Sequence, residues 1–288
     1  MKQPLGEVPA SRSPRAWMAW SSGKDSLWAL HLARRAGNLD IIGLLTTITE
    51  TYARVTMHGV RESLLHAQAA ALGLPLHRVP IPTPCSQEQY EAIMGATMEQ
   101  ARSLGVAKVV FGDVSLADVR SYRERQLARI DMEALFPLWG MDTKSLALDI
   151  ISGGVRANLT CLDPSKLPAE LAGREFDQDL LAELPDGIDP CGENGEFHTF
   201  AWDGPGLPAP IPITIGQTVA RDTFLFTDLQ PAGRPSPRET HGSVASVVLL
   251  PKPPRPFLVA QVFNPRCFGS STAEALPAVP GGTGFQPV

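Results

Sequence analysis

The segment AWMAWSSGKDSLWALHLARR, residues 16–35, constrains the fold of this chain more than any other stretch. Five mostly apolar residues, Ala16 to Trp20, run directly into Ser21-Ser22-Gly23-Lys24-Asp25-Ser26. Leu27, Leu30 and Ala33 then recur at helical spacing, and Gly37 is placed to end the helix. A strand, a turn of small residues and a helix N-terminus together form an anion site. The first N–H groups of the helix lack intrahelical partners, and the helix dipole is positive at that end. Gly23 permits close backbone approach, the serines add hydroxyl donors, and Lys24 can bring a positive charge to a phosphate. The segment therefore reads as a nucleotide-phosphate loop. An ordinary serine-capped turn is the alternative, and the required context of strand before and helix after argues against it.

The same alternation continues downstream. Strands are expected at 16–20, 41–47, 76–81, 106–111 and 135–138, and helices at 26–36, 59–72, 86–104 and 118–130. Gly37, Gly73 and Gly105 each follow a helical run, where a C-terminal cap favours glycine. Ser86 and Gln89 have the spacing of a capping box. The pattern predicts an α/β fold, a doubly wound parallel five-stranded sheet with helices on both faces. A second, smaller α+β lobe follows, with helices at 142–153 and 177–184 and extended pieces at 155–162, 196–202, 211–215 and 222–226. The expected organisation is a flexible 1–14, a nucleotide-binding unit at 15–138, a substrate lobe at 139–230 and a tail at 231–288. That tail holds 11 of the 27 prolines and reads as disordered or peripheral. Within it, VASVVLL and PFLVAQVF have the composition to pair as strands.

Composition narrows the function classes. A net charge of −5 with no basic block argues against a nucleic-acid binder that works through phosphate contacts. Cys85, Cys161, Cys191 and Cys267 are widely separated and form no C-x-x-C pair, so they read as reduced thiols of a cytoplasmic protein. The first fifteen residues are polar and proline-bearing, unlike a secretory leader, and no apolar run has the length of a membrane span. A homodimer is compatible with the sequence, which does not specify oligomeric state.

In a doubly wound sheet, ligands bind beyond the strand C-termini where the strand order reverses. If the first and fourth strands are neighbours there, Ser21–Ser26 faces Phe111-Gly112-Asp113-Val114-Ser115. Gly112 followed by Asp113 suits a nucleotide wall with a magnesium or ribose contact, and equally a turn that caps the next helix. Thr46 and Thr47, ending the second strand, would lie near an adenine. Arg120 and Arg123 share a helix face and could reach phosphates, against the alternative of a solvated charged face. In Cys191-Gly192-Glu193-Asn194-Gly195-Glu196-Phe197-His198-Thr199, two carboxylates and an imidazole could bind metal or move protons. Glu196 and His198 would share one face of the following strand. Read alone, a charged turn entering a strand describes the segment as well, and Cys191 reads as an inert small residue.

The loop lacks the Walker pattern, since Met18 stands where that motif needs glycine and Asp25 follows Lys24. It resembles instead the S-x-G-x-D-S loop of the ATP pyrophosphatases, which cleave ATP between the α and β phosphates. With Met57-His58 after the second strand, Gly112-Asp113 after the fourth, PLWG at 137–140 and GENGEFHTF at 192–200, the chain resembles the diphthine–ammonia ligase family over about 15–230. That resemblance implies an adenine nucleotide alpha hydrolase-like fold, ATP as substrate and Mg2+ as cofactor. Asp25 and Asp113 would hold the metal. It also implies a two-step reaction: a substrate carboxylate is adenylated with release of pyrophosphate, then ammonia displaces AMP. His58, Glu193, Glu196 and His198 become the candidates to orient the acceptor or move protons. The acceptor carboxylate belongs to a protein such as elongation factor two or to a small molecule.

Two departures from the family pattern bear on the site. Ser22 replaces the usual second glycine of the loop, a change expected to be tolerated provided its φ stays negative. The charged segment after Gly112 is similar to a short bacterial branch, whose hosts lack diphthamide. Other uses of such a loop fit less well. Thiolation of tRNA calls for cysteine pairs and a basic surface, and sulfonucleotide reduction for a nucleophilic cysteine near the C-terminus, where Cys267 is an unconvincing counterpart. An ATP-binding module without ligase activity is the rival from another class. The ionisable cluster at 193–198 discriminates against it.

Overall fold

The computed structural model describes residues 13–221 and 223–232. Expectations for 1–12 and 233–288, including VASVVLL, PFLVAQVF and Cys267, lie outside the described residues. The first part of the chain runs β1 (Arg15–Ala19), α1 (Lys24–Ala36), β2 (Asp40–Thr49), β3 (Arg54–Val55), α2 (Glu62–Leu72), β4 (Leu76–Ile81), α3 (Gln87–Ser103), β5 (Val106–Val110), α4 (Ala117–Ala128) and β6 (Glu133–Leu135). The second part runs α5 (Thr143–Ser152), β7 (Arg156–Leu162), α6 (Gln178–Glu183), β8 (Phe197–Asp203), β9 (Ile213–Arg221) and β10 (Phe224–Pro231).

The main sheet has six strands, the five expected parallel ones and the short β3, which pairs antiparallel with β2. β1 lies between β2 and β5, with β4 beyond β2 and β6 beyond β5. The chain builds outward from β1 through β2 to β4, then crosses back to β5 and β6. The order therefore reverses between β1 and β5, which meets the condition for the two loops to face one crevice. Alternate residues of β1 explain its unbroken apolar run. Ala16 and Met18, with Trp20 just beyond the strand, enter one buried cluster, while Trp17 and Ala19 enter the other on the opposite face. Helices α1 and α2 cover the first face through Leu27, Leu30, Leu64 and Leu65. Helices α3 and α4 cover the second through Met98, Ala101 and Leu127. The helix doublet on each face makes the fold doubly wound. Ser86 and Gln89 form the predicted capping box at the start of α3.

β7 to β10 form a separate antiparallel sheet in the order β8-β7-β10-β9. Its inner residues Leu159, Phe197 and Phe200 belong to the same buried cluster as Met18, Leu27 and Leu65. The two sheets thus share one core.

Three boundaries differ from the sequence reading. The last strand of the main sheet is Glu133–Leu135, paired with Lys108 to Val110, and not 135–138. Pro137 has no N–H to donate to a ladder, and the chain turns there. Helix α2 starts at Glu62 and not at 59, because the preceding residues form β3 and a bridge between Arg54 and Arg61. The pieces at 211–215 and 222–226 are longer, forming one hairpin whose register runs from Phe224 opposite Arg221 to Pro231 opposite Ile213.

Phe200 is fully buried in the shared core, so Phe200→Ala should lower the unfolding free energy by about 3–5 kcal/mol. Denaturant curves followed by tryptophan fluorescence and by circular dichroism should shift together. Two separated transitions would contradict a shared core.

Candidate functional site

β1 and β5 end side by side, so the loops that follow them meet. Gly112 packs so closely on the start of α1 that a Cβ there would lie 3.2 Å from the backbone of Asp25 and Ser26. Only a glycine allows this approach without a shift. A cleft opens above the two loops, lined by Ser21, Asp25, Thr47, Asp113 and Arg123 among others.

β3 supplies the next wall. β4 occupies one edge of β2 as far as Thr49, while β1 ends opposite Leu45. The edge vacated beyond β1 is taken by β3, which pairs with Ile48 and Thr49. The turn after β3 therefore overhangs the phosphate loop and delivers His58 to the cleft. Asp228 of β10 anchors this turn from outside, accepting hydrogen bonds from Arg54 at 2.8 Å and from Arg61 at 2.7 and 2.8 Å.

β8 docks on the 21–26 loop from the second sheet. The Lys24 N–H donates to Thr199 Oγ1 at 3.1 Å, and the Ala201 N–H donates to the Ser22 carbonyl at 2.9 Å. His58 Nδ1 lies 3.1 Å from the Thr199 carbonyl. A carbonyl can only accept, so Nδ1 carries the proton and Nε2 is left as an acceptor. The His198 ring sits 4.6 Å from that of His58, centroid to centroid. Burial pushes His58 down to about 4, the hydrogen bond to Thr199 opposing it. Burial and then the neighbouring His58 and Lys24 hold His198 well below its ordinary value. Both imidazoles are neutral near pH 7.

The charged groups of the cleft are paired. Lys24 is 1% exposed, and its ammonium donates to both carboxylate oxygens of Asp25, at 2.8 and 3.0 Å, and to the Cys191 carbonyl at 2.6 Å. Burial alone would lower its pKa, but Asp25 together with the other acidic groups around it outweighs that, and the net shift is upward. Arg123 donates to Asp113 Oδ1 at 2.8 Å, while the buried Asp113 Oδ2 has no hydrogen-bond partner. Burial raises the Asp113 pKa against the pull of Arg123. Glu193 accepts from the Val114 N–H at 3.1 Å, tying the 191–195 loop to the loop after β5. Burial, with the negative charges of Asp25 and Asp113, pushes its carboxyl up to about 8.

Four expectations change. Ser22 adopts φ 68°, the left-handed conformation, so the serine bears the strain the usual glycine avoids. Arg120 does not line the cleft: it pairs with Glu124 at 2.7 Å and stacks over Phe136 and Trp139. Thr46 also lies outside it, its hydroxyl donating to the Trp20 carbonyl at 2.7 Å, whereas Thr47 is in the lining. Glu196 precedes β8 and turns away from the cleft. Its carboxylate accepts from the Asn194 N–H at 2.9 Å, the Asn194 side-chain amide at 3.2 Å and the Asp189 N–H at 3.4 Å. Glu196 shapes the turn, while Glu193 and His198 face the cleft. Thr199, Gln68 and Asp228 were not singled out from the sequence. Thr199 lay within the GENGEFHTF motif, but the other two carry no local signal.

The raised Glu193 carboxyl has a definite pH signature. The folded metal-free protein keeps this proton to about pH 8, whereas an unfolded chain releases it near the ordinary value of about 4.3. Its ionisation therefore costs stability as pH rises through this window. Glu193→Gln, which cannot ionise, should gain stability over the parent progressively across that range, the gain levelling off above it. Urea unfolding at several pH values checks this, and a gain that grows toward acid pH would contradict the assignment.

Among the described residues, no helix is long and apolar enough to cross a membrane. Comparison with known proteins places residues 15–134 within the model of the diphthamide synthase N-terminal domain. A diphthine–ammonia ligase of Danio rerio is 31% identical over 177 residues, covering 55% of this chain and 68% of that protein. A diphthine–ammonia ligase of Bos taurus is 26% identical over 174 residues, covering 55% and 65%. The matched region begins at β1 and includes both loops that meet at the switch point. The chain belongs to the diphthine–ammonia ligase family.

Proposed function

We propose that this chain is an ATP-dependent amide-forming ligase that adenylates a substrate carboxylate and then transfers the acyl group to ammonia. One observation carries the reading. The phosphate loop shares its cleft with His58, His198 and Glu193, ionisable groups delivered by the turn after β3 and by the segment around β8. A protein that only bound nucleotide would have little use for them.

In the first step an acceptor carboxylate oxygen attacks the α-phosphorus of ATP and the bond to pyrophosphate breaks. The N–H groups of the loop and the N-terminus of α1 stabilise the charge developing on the leaving group. In the second step ammonia attacks the acyl carbon and AMP departs. Ammonium has no lone pair, so a base must first take a proton from it. His58 is placed for this role, since its Nδ1 is committed to Thr199 and its Nε2 is an acceptor. Burial makes it a weak base, and the negative charge of a bound nucleotide would raise its basicity. His198, beside it and also neutral, would orient the acceptor or receive the proton in turn.

Among the described residues, no group of three or more His, Cys, Asp and Glu side chains is placed to hold a metal ion by itself. A divalent cation here would be shared between two carboxylates and the phosphates of the nucleotide, and Asp113 offers a bare buried oxygen. Asp25 and Asp113 would hold Mg2+, which neutralises phosphate charge when bound. The acceptor would be a carboxylate on a protein such as elongation factor two or on a small molecule.

Two experiments test the proposal. Ser21→Asp places a carboxylate at the expected phosphate position, and should weaken ATP binding by about a hundredfold, roughly 2.7 kcal/mol, in calorimetry. An unchanged affinity would remove the loop from the nucleotide site. With ATP, ammonium and a competent acceptor, the products should be AMP and pyrophosphate. His58→Ala and His198→Ala should keep ATP affinity within about threefold while lowering turnover about a hundredfold. ADP as the main nucleotide product would defeat the ligase chemistry.

A further inference from the structure

The Ser22 conformation raises a question that the nucleotide reading leaves open. A serine in the left-handed region is disfavoured, and other backbone arrangements of a six-residue turn are accessible to it. Something must hold the loop in the form that presents donors to a phosphate. Gln68, on α2, is completely buried, as is Ser22, and Trp20 is 1% exposed. The Gln68 amide nitrogen donates to the Ser22 carbonyl at 3.0 Å and to the Ala201 carbonyl at 2.6 Å. Its Oε1 accepts from the Trp20 indole N–H at 2.9 Å. These partners fix the amide orientation, since the reversed amide would set its oxygen against two carbonyls and its nitrogen against an N–H.

We infer that Gln68 is a positioning residue for the nucleotide: it locks the left-handed form of Ser22 and ties the phosphate loop to β8. The inference rests on the nucleotide reading of Ser21–Ser26. The mechanism follows from peptide geometry. The C=O and N–H of a trans peptide point in opposite directions. Holding the Ser22 carbonyl toward Gln68 therefore turns the Gly23 N–H the other way, toward Ser21, whose hydroxyl oxygen lies 3.3 Å from it and which lines the cleft. The Ala201 N–H supports the same carbonyl from β8. An apolar residue of equal size would fill the space yet leave two buried carbonyls without this donor and the indole N–H without this acceptor. The loop would then relax toward forms in which Ser22 leaves the left-handed region and the donors turn away.

The test is a double-mutant cycle between Gln68 and Ser22, read as ATP affinity by calorimetry. Gln68→Met should weaken ATP by about tenfold or more, because only a fraction of loops would remain competent. Ser22→Gly removes the left-handed penalty, so in the Gln68→Met background it should recover about fivefold. That gain should clearly exceed its effect in the parent, where the loop is already locked. A purely structural Gln68 would instead lower the melting temperature with no preferential rescue by glycine at 22, and that result overturns the inference. So does an ATP affinity for Gln68→Met equal to the parent's. Should Gln68→Met not fold, Gln68→Glu keeps the shape, and a carboxyl buried against two carbonyls keeps its proton and can donate to only one of them. It should show a loss and a rescue in the same directions, and absence of either overturns the proposal. Ser21→Asp separates the two levels. If it abolishes ATP binding while Gln68→Met does not, only the role of Gln68 fails. If Ser21→Asp binds ATP normally, the nucleotide reading fails and this inference with it.

Discussion

The docking of β8 on the phosphate loop is the contact on which the rest of the site depends. A helix N-terminus preceded by small residues is adaptable, and its orphan donors can be satisfied in several ways. Here Thr199 takes the Lys24 N–H and the Ala201 N–H takes the Ser22 carbonyl, so an element 175 positions from Lys24 at Thr199 fixes the loop. Each such bond contributes only about 1 kcal/mol net. Their effect is larger on geometry than on stability. They set which N–H groups are spent on the protein and which face the cleft, and they bring His198 and Thr199 to the 21–26 loop in the same step. The two sheets are thus parts of one site as well as of one core.

That arrangement explains which features could be read along the chain. β1, the loop and α1 are legible because they are contiguous and each obeys its own period, whereas the reversal between β1 and β5 enters the sequence reading only as a condition, since strand–helix alternation does not fix strand order. The capping box at Ser86 was legible because it too is contiguous. β3 was not, since two residues carry no period and its existence depends on the edge left free where β1 stops. Glu196 was misplaced because a strand pattern assigns faces only to residues inside the strand. One position before β8, its carboxylate found three N–H partners in its own turn. Arg120 has the helical spacing to share a face with Arg123, but it stacks over the aromatic pair Phe136 and Trp139 instead of lining the cleft. Gln68 could not be recognised at all. A glutamine in an alanine-rich helix reads as a solvent-facing residue until three distant groups are seen to converge on it.

The conformation of Ser22 shows how local and global preferences conflict at this site. Glycine would adopt φ 68° without strain, so the serine makes the loop depend on its neighbours for its shape. Departures of this kind concentrate where function sets geometry against propensity. Gly23, by contrast, has an ordinary negative φ, and its lack of a side chain matters for space: a Cβ would meet His58 Cε1 and the Thr199 carbonyl at 3.1 Å. The glycine expected to admit a phosphate also admits the second sheet.

The electrostatics of the cleft follow from the same packing. Lys24 and Arg123 would attract a polyphosphate, but each is already matched by a carboxylate, Asp25 and Asp113. The imidazoles are neutral, and at pH 7 Glu193 retains its proton. The formal charges cancel, so the walls offer no net attraction for a highly charged anion. Under the proposed function, affinity must then come from oriented N–H groups and from a cation that arrives with the nucleotide. A cation held by Asp25 and Asp113 would weaken their claim on Lys24 and Arg123, freeing both to meet phosphate oxygens. It would also reduce the repulsion that keeps Glu193 protonated. Under the proposed function, metal, phosphates and the Glu193 proton would be coupled through one set of charges, and the cleft would favour a nucleotide that arrives with its cation over the nucleotide alone.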